Sequence, residues 1–157
     1  MALENLAAKG AGVYDVRSSH GLGGDVKGFS RTLELSNAAN IGSTYDFGYI
    51  PSNARLFGSS KVFFDAVGGA GILLDIGLAG VDGNITTSLQ ALNDSIAAST
   101  AGSGALIKDI ANYGKRAWEY VSGVTADPQG MFILRVSTRG AAGTGGTITM
   151  ELLFTIP

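Results

Sequence analysis

A chain of 157 residues with 45% hydrophobic residues is long and apolar enough to fold as one domain, which excludes an intrinsically disordered protein. The net charge of −2, with no basic run longer than Lys115-Arg116, excludes the charge pattern of a nucleic-acid-binding protein. The absence of cysteine excludes disulfides, thiolate metal sites and cysteine nucleophiles.

The composition also bears on secondary structure and location. With 24 glycines and only 15% charged residues, the chain favours short strands and turns over long helices. The start, MALENLAAKGAG, has no apolar core behind a basic segment, so we predict no signal peptide. No stretch approaches the roughly 18 apolar residues of a membrane-spanning helix. We expect a protein that is made in the cytoplasm and either stays soluble or leaves by a route that needs no signal.

The N-terminal residues 1–24 are predicted to form an arm and a flexible loop, ahead of a domain that occupies residues 25–157. The arm begins weakly helical, continues with a short strand over residues 13–17, and leads into a glycine-rich loop over residues 18–28. Its apolar side chains lie outside the predicted core, next to glycines, and are candidate interface residues: Leu3, Leu6, Val13 and Tyr14.

Four strands are predicted in the first half of the domain. Apolar and polar residues alternate over residues 29–36, which indicates a half-buried strand. Residues 43–50 form an aromatic strand in which Tyr45, Phe47 and Tyr49 share one face. Residues 55–67 are predicted to form one long strand, and residues 72–78 form the next.

The pattern changes in the second half. Between residues 84 and 99, apolar residues recur at spacings of four, three and four, which predicts a helix: Ile85, Leu89, Leu92 and Ile96. Residues 99–105 are predicted to be a flexible link, and residues 106–111 a short strand. Residues 114–123 are predicted to form a short helical turn, and residues 131–138 a further strand before a glycine-rich hairpin loop.

The chain ends on its cleanest strand pattern. After residue 146, every second residue is apolar: Ile148, Met150, Leu152, Phe154 and Ile156. The residues between them are polar except for Leu153. An apolar strand at an exposed sheet margin promotes aggregation, so we predict that this strand lies in the middle of a sheet. Because strands and helices do not alternate along the chain, a doubly wound parallel sheet is disfavoured. The prediction is an all-β fold, an antiparallel β-sandwich of the jelly-roll type with about eight strands and one or two short inserted helices.

Residues that could carry chemistry are few. His20 stands alone in a loop, without the cysteines of a usual zinc site or an evident catalytic partner. The glycine-rich stretches lack the spacing and the following helix of a phosphate-binding loop. Asp65 and Asp75 lie in apolar strands, where paired carboxylates could do acid–base work, although an outer-face or turn role is more common. VDGN at residues 81–84 lacks the oxygen ligands of a complete calcium loop. We predict no catalytic, metal or cofactor site, and no small-molecule substrate.

The aromatic residues leave two interpretations open. Trp118 is the sole tryptophan and stands beside Tyr113 and Tyr120. Such a group can bind sugars or anchor an interface, and a position at the edge of the core is the more common role. Tyr45 and Tyr49 carry the same ambiguity between sheet core and exposed platform.

Two stretches resemble a known group of proteins. They are IPSNARLFGSSKVFFDAVGGAGILLDIGL at residues 50–78, and GKRAWEYVSG at residues 114–123 followed by DPQGMFILRVSTRGAAGTGGTITMELLFTIP. Together they resemble the capsid decoration, or cement, proteins of tailed bacteriophages that have a jelly-roll core, over residues 29–157. The similarity lies in strands and turns and contains no catalytic signature.

The resemblance implies a non-enzymatic role on the virion. Such proteins bind the outer surface of the capsid as homotrimers or homodimers, bridge major capsid protein subunits, and resist the pressure of packaged DNA. It implies no membrane or nucleic-acid partner, and Trp118 becomes a candidate interface residue alongside the arm. Two alternatives remain: a carbohydrate-binding jelly-roll module that uses Tyr45, Tyr49, Trp118 or Tyr120, and a head-fibre or tail component.

Overall fold

The computed structural model describes residues 26–36, 39–82 and 85–156, together with the backbone of residues 5–7. The described chain is all-β and contains ten strands and two short 3-10 helices. The strands are β1 (Asn5–Ala7), β2 (Val26–Leu35), β3 (Thr44–Pro51), β4 (Arg55–Leu56), β5 (Lys61–Phe64), β6 (Leu73–Gly80), β7 (Ser88–Ala97), β8 (Gly102–Ala105), β9 (Met131–Arg139) and β10 (Gly146–Thr155). The 3-10 helices are η1 (Ile110–Asn112) and η2 (Ala117–Tyr120).

The strands form two facing sheets. Sheet I has the order β1-β3-β9-β6-β7, and sheet II has the order β2-β10-β5-β8, with β4 also paired to β10. The pairings are antiparallel except for β1 with β3, which run parallel. The apolar residues between the sheets form one core cluster. The predicted jelly-roll-like sandwich is therefore confirmed.

The last strand lies in the middle of sheet II, as its pattern predicts. β10 pairs with β2 along one side over ten residues, and with β5 and β4 along the other. Its inward side chains are no more than 1% exposed: Ile148, Met150, Leu152 and Phe154. The terminal segment thus avoids an exposed margin because neighbouring strands satisfy its backbone on both sides.

The aromatic strand is interrupted by a bulge. Tyr45 and Phe47 both lie in the core, but the pairing of β3 with β9 shifts register between Asp46 and Gly48. A bulge adds one residue to a strand and exchanges its faces from that point. Ile50 therefore takes the next core position, and Tyr49 is only half-buried.

The helix predicted over residues 84–99 is wrong, because this stretch contains the edge strand β7. In the pairing with β6, Ser88 lies opposite Leu78 and Asn93 lies opposite Ile76. A step of five residues along β7 therefore matches a step of only two along β6. A second irregularity lies between Asn93 and Ile96. The four apolar residues of the helical pattern do not share one face in the structure, since Leu92 is buried whereas Leu89 is 37% exposed.

Three other assignments change. The strand predicted over residues 55–67 is divided into β4 and β5 by a turn in which Ser60 donates its backbone N–H to the carbonyl of Phe57, at 3.1 Å. The link predicted over residues 99–105 contains β8, which pairs with β5. The strand predicted over residues 106–111 is wrong: Leu106 and Ile107 lie in the core as non-strand residues, and η1 begins at Ile110. The short helical turn near Trp118 corresponds to η2.

The division into an arm and a domain stays a prediction. Residues 5–7 of the predicted arm form β1, which adds to the edge of sheet I beside the start of β3. The strand predicted over residues 13–17, the loop start at residues 18–25 and His20 lie outside the described residues.

The two ends of the sandwich differ. At one end lie the connections that follow β2, β5, β7 and β9, at residues 36–43, 65–72, 98–101 and 140–145. The other end, which we call the loop end, carries the connections at residues 52–60, 81–87 and 106–130. Six of the eight exposed large hydrophobic residues among the described positions lie in these connections or in the adjoining strand ends: Val26, Val81, Leu89, Ile110, Tyr113 and Leu153. The loop end therefore carries most of the exposed large hydrophobic side chains of the described residues.

Candidate interaction surface at the loop end

Backbone hydrogen bonds tie the two longest connections of the loop end together. The N–H of Leu56 donates to the carbonyl of Lys115 at 3.1 Å, and the N–H of Ala117 donates to the carbonyl of Ala54 at 2.8 Å. Ser52 accepts a further bond from the Trp118 N–H at 3.1 Å. These long loops therefore have satisfied backbone groups and a defined conformation, which suits a surface that must recognise a partner without first being ordered.

Ile110 and Tyr113 form the apolar centre of this surface. Ile110 in η1 is 77% exposed and Tyr113 is 42% exposed. The Tyr113 ring lies against the backbone of Gly58, where a Cβ would be 2.2 Å from the nearest ring atom. Only glycine allows this approach, so the connection after β4 fixes the position of the ring.

Trp118 and Tyr120 pack between the core and the connection at residues 106–130, and do not form an exposed aromatic surface. Trp118 is partly buried against the core, and its Nε1 is the one buried side-chain polar atom without a hydrogen-bond partner among the described residues. The hydroxyl of Tyr120 donates to the carbonyl of Asn112. Burial, with a smaller contribution from Glu119, raises the pKa of Tyr120 to about 12, so this donor stays protonated. The predicted interface residue Trp118 is thus at the loop end, but largely as support.

The aromatic groups proposed for sugar binding are not brought together as one exposed row. Tyr45 is fully buried in the core and Tyr49 is half-buried on β3. Trp118 and Tyr120 pack against the core. Tyr113 is the most exposed aromatic side chain of the loop end among the described residues. Stacking on a sugar needs an accessible ring face, so Tyr45 cannot contribute one.

Two arginines face one another beside Tyr113. Arg55 of β4 and Arg116 form an isolated antiparallel bridge. Their neighbours make the backbone hydrogen bonds, from the Leu56 N–H to Lys115 and from the Ala117 N–H to Ala54. The two arginines are therefore a non-hydrogen-bonded pair. In such a pair the Cα atoms are about 4.5 Å apart and the side chains share one face.

Neither arginine forms a salt bridge among the described residues. Arg55 NH1 donates to the carbonyl of Gly114 at 3.1 Å. Glu119 is adjacent, but its carboxylate accepts the backbone N–H of Arg116 at 2.6 Å and thereby caps η2. The three salt bridges among the described residues involve other cations: Lys108 with Asp94, Arg135 with Asp46, and Arg139 with Asp75. The loop end therefore holds two arginines that are direct cross-strand neighbours, in the same connections that carry Ile110 and Tyr113.

The two carboxylates considered for acid–base work have separate structural partners. Asp75 is buried and accepts bonds from Arg139, from Gln90 and from the backbone N–H of Ser95. Asp65 is exposed and accepts bonds from the N–H and hydroxyl of Thr147, at 3.2 and 2.6 Å. Within the described ranges, no group of three His, Cys, Asp or Glu side chains is arranged to hold a metal ion.

The arm residues of the predicted interface lie beyond this description. Leu3, Val13 and Tyr14 are outside the described residues, as are two residues of the VDGN stretch. Leu6 is described by its backbone, which pairs with Tyr45 in sheet I. Sequence reasoning missed the pairing of Arg55 with Arg116, because the two residues are far apart in the chain. Lys115-Arg116 was the only visible signal, and a basic dipeptide alone indicates little.

The comparisons with known proteins identify structural relatives only. No protein-family model and no curated protein matches the chain. A chain in the capsid of Ralstonia phage GP4 is similar, with a TM-score of 0.64 and 18% identity over 98% of both chains. A chain in the capsid asymmetric unit of cyanophage Pam1 has a TM-score of 0.60 and 16% identity, over 96% of this chain and 98% of that chain. This chain shares their fold. In addition, no helix in the described part is long and apolar enough to cross a membrane.

Proposed function

We propose that this protein is a non-enzymatic structural component of a bacteriophage virion that binds the outer capsid surface as an oligomer and stabilises the head. The observation that supports it is the near-complete, two-way coverage of chains in two phage capsid structures. Full coverage means that the whole sandwich, and not a shared core with different additions, corresponds to the chains in those particles. The sequence resemblance to decoration proteins points the same way.

The proposed partners are the major capsid protein and other copies of this chain, as a homotrimer or a homodimer. The protein would be made in the host cytoplasm and reside on the capsid surface. A sandwich with a defined, apolar loop end is suited to this task because a lattice repeats the same contact many times. Modest single contacts become strong when an oligomer engages several subunits together.

The test is binding to undecorated particles of the corresponding phage. We expect the purified protein to co-sediment with particles, to saturate at a fixed ratio to the major capsid protein, and to raise the temperature at which heads release DNA. Size-exclusion chromatography with light scattering should give a dimer or a trimer. A strict monomer that does not bind heads would refute the proposal, and binding to tails or fibres alone would support the fibre or tail alternative.

The N-terminal arm has a separate test. We propose that its apolar residues order against the capsid or a neighbouring copy, so deletion of residues 1–12 should weaken particle binding or change the oligomeric state. The deletion also removes β1, and a thermal melt controls for loss of folding. A folded deletion variant with unchanged oligomeric state and particle binding would contradict the role of the arm.

A further inference from the structure

We propose that Arg55 and Arg116 form a docking site for a carboxylate-bearing segment of a partner protein, with Ile110 and Tyr113 as its apolar contacts. The assignment of that partner as a capsid subunit rests on the proposed function. The site itself follows from the bridge that places the two arginines side by side at the loop end.

The first argument is energetic. Like charges directly opposite one another across a strand pair destabilise the folded protein. Here the pair is of the close, non-hydrogen-bonded type, so the two side chains leave the backbone on one face at short range. Among the described residues, neither guanidinium takes part in a salt bridge. An anionic group that binds between them removes the repulsion, so association is favoured by relief of an existing strain as well as by new bonds.

The second argument is the number of unused donors. A guanidinium has five N–H donors in one plane, and two of them can bind the two oxygens of one carboxylate. Arg55 uses NH1 for the Gly114 carbonyl, and the backbone around both residues is fixed by the bridge. The remaining donors of two neighbouring forks can receive one or two carboxylates. Arginine, which is weakly hydrated, also suits an interface better than lysine.

The third argument is the surrounding surface. Ile110 is the most exposed of the large hydrophobic residues described. Tyr113, which is also exposed, precedes Arg116 by three residues in the same connection. Arginine and tyrosine beside an apolar side chain are typical of the centres of protein interfaces. A nucleic acid would need a longer basic track, whereas the whole chain has a net charge of −2. The combination therefore fits a protein segment that carries Asp or Glu next to an apolar residue.

The experiment compares the double variant Arg55→Gln/Arg116→Gln with the wild type and with Lys27→Gln. Lys27 lies on β2, on the other side of β10 from β4, and controls for a general loss of positive charge. With undecorated heads as the probe, we expect the double variant to bind at least about fivefold more weakly, and the control within about twofold. The melting temperature of the free double variant should equal or exceed that of the wild type, because the repulsion is removed. An unchanged affinity of the double variant, or an equal loss in the control, would overturn the proposal.

A second probe separates this proposal from the proposed function. Labelled poly-L-glutamate, measured by fluorescence anisotropy at low salt, should bind the wild type better than the double variant, and less well as salt screens the charges. If wild-type protein ignores heads but shows this preference, the capsid role fails and the docking site stands. If a single-stranded oligonucleotide binds through the two arginines better than poly-L-glutamate, or if poly-L-glutamate binds both proteins equally or neither, the docking site is refuted.

Discussion

The carboxylate of Asp75 on β6 accepts two hydrogen bonds from the guanidinium of Arg139 on β9, at 2.8 and 3.1 Å. The Asp75 side chain is 4% exposed and the Arg139 side chain is 45% exposed, so the cation bridges from solvent to a buried anion. The same carboxylate accepts the backbone N–H of Ser95, at 2.8 Å, inside the irregular part of β7. Ser95 has a φ of 64°, which marks the bulge. Asp75 therefore supplies the acceptor that a bulged edge strand lacks in its own sheet.

We expect Asp75→Asn to destabilise the fold by about 2–4 kcal/mol, because it removes the charge partner of Arg139 and weakens the acceptor for the bulge. The measurement is urea unfolding at neutral pH. Asp94→Asn is the matched control, since it breaks the solvent-exposed pair with Lys108 and should leave the urea midpoint close to that of the wild type. Equal effects of the two substitutions would show that Asp75 does not organise β7.

The same carboxylate makes stability depend on acid. Burial raises the pKa of Asp75, but the bonds from Arg139, Ser95 and Gln90 outweigh burial and leave the pKa below its ordinary value of 3.8. A carboxyl group with a lowered pKa in the folded state stabilises the protein above its unfolded pKa, and this contribution is lost as pH falls through the folded pKa. Urea unfolding between neutral pH and about pH 2.5 should therefore show a steeper loss below about pH 4 for the wild type than for Asp75→Asn. Parallel curves would contradict this role.

Gly77 lies on β6 at a point where the backbone of the paired strand β7 leaves no room for a Cβ. A Cβ at this position would lie 2.1 Å from the carbonyl oxygen of Ser88 and 2.4 Å from the Cα of Leu89. Because these are backbone atoms, Gly77→Ala must displace β7, and we expect a loss of about 1–3 kcal/mol in the free energy of unfolding. Gly69→Ala is the control, since nothing lies within 4 Å of its Cβ position, and should be within about 0.5 kcal/mol of the wild type. If Gly77→Ala leaves the free energy of unfolding unchanged, the backbone of β7 cannot lie this close to Gly77.

The central position of β10 can be tested with two adjacent leucines. Leu152 is fully buried between the sheets, whereas Leu153 is 40% exposed on the outer face. We expect Leu152→Ala to cost about 2–5 kcal/mol through lost burial and the remaining cavity. Leu153→Ala should cost less than about 1 kcal/mol, because its side chain remains in contact with solvent. Thermal or urea unfolding of both variants measures the difference, and a reversed order would mean that the register of the last strand is wrong.

Several elements were predictable from sequence because their signal is local. Apolar residues recur at every second position over most of β2 and β10, with Arg31 and Leu153 as exceptions, and an unbroken pairing over ten residues preserves that pattern in the structure. The position of β10 within a sheet was predictable as well, since a strongly apolar strand at a chain end needs neighbours on both sides. By contrast, the sequence of residues 84–99 has helical apolar spacing, whereas the structure has an edge strand whose pairing with β6 is twice irregular. A bulge depends on what the neighbouring strand offers, here Asp75, and that neighbour is not adjacent in sequence.

The amino-acid sequence by itself determined the class of this protein: composition and period-two patterns predict strands with one apolar face, and such strands are stable only when a second layer covers that face. Tertiary structure alone decided which surface is organised for contact. Arg55 and Arg116 become neighbours only when the connection after β3 pairs with the loop after η1. The anionic partner that we propose for this pair follows from a backbone pairing that local sequence does not encode.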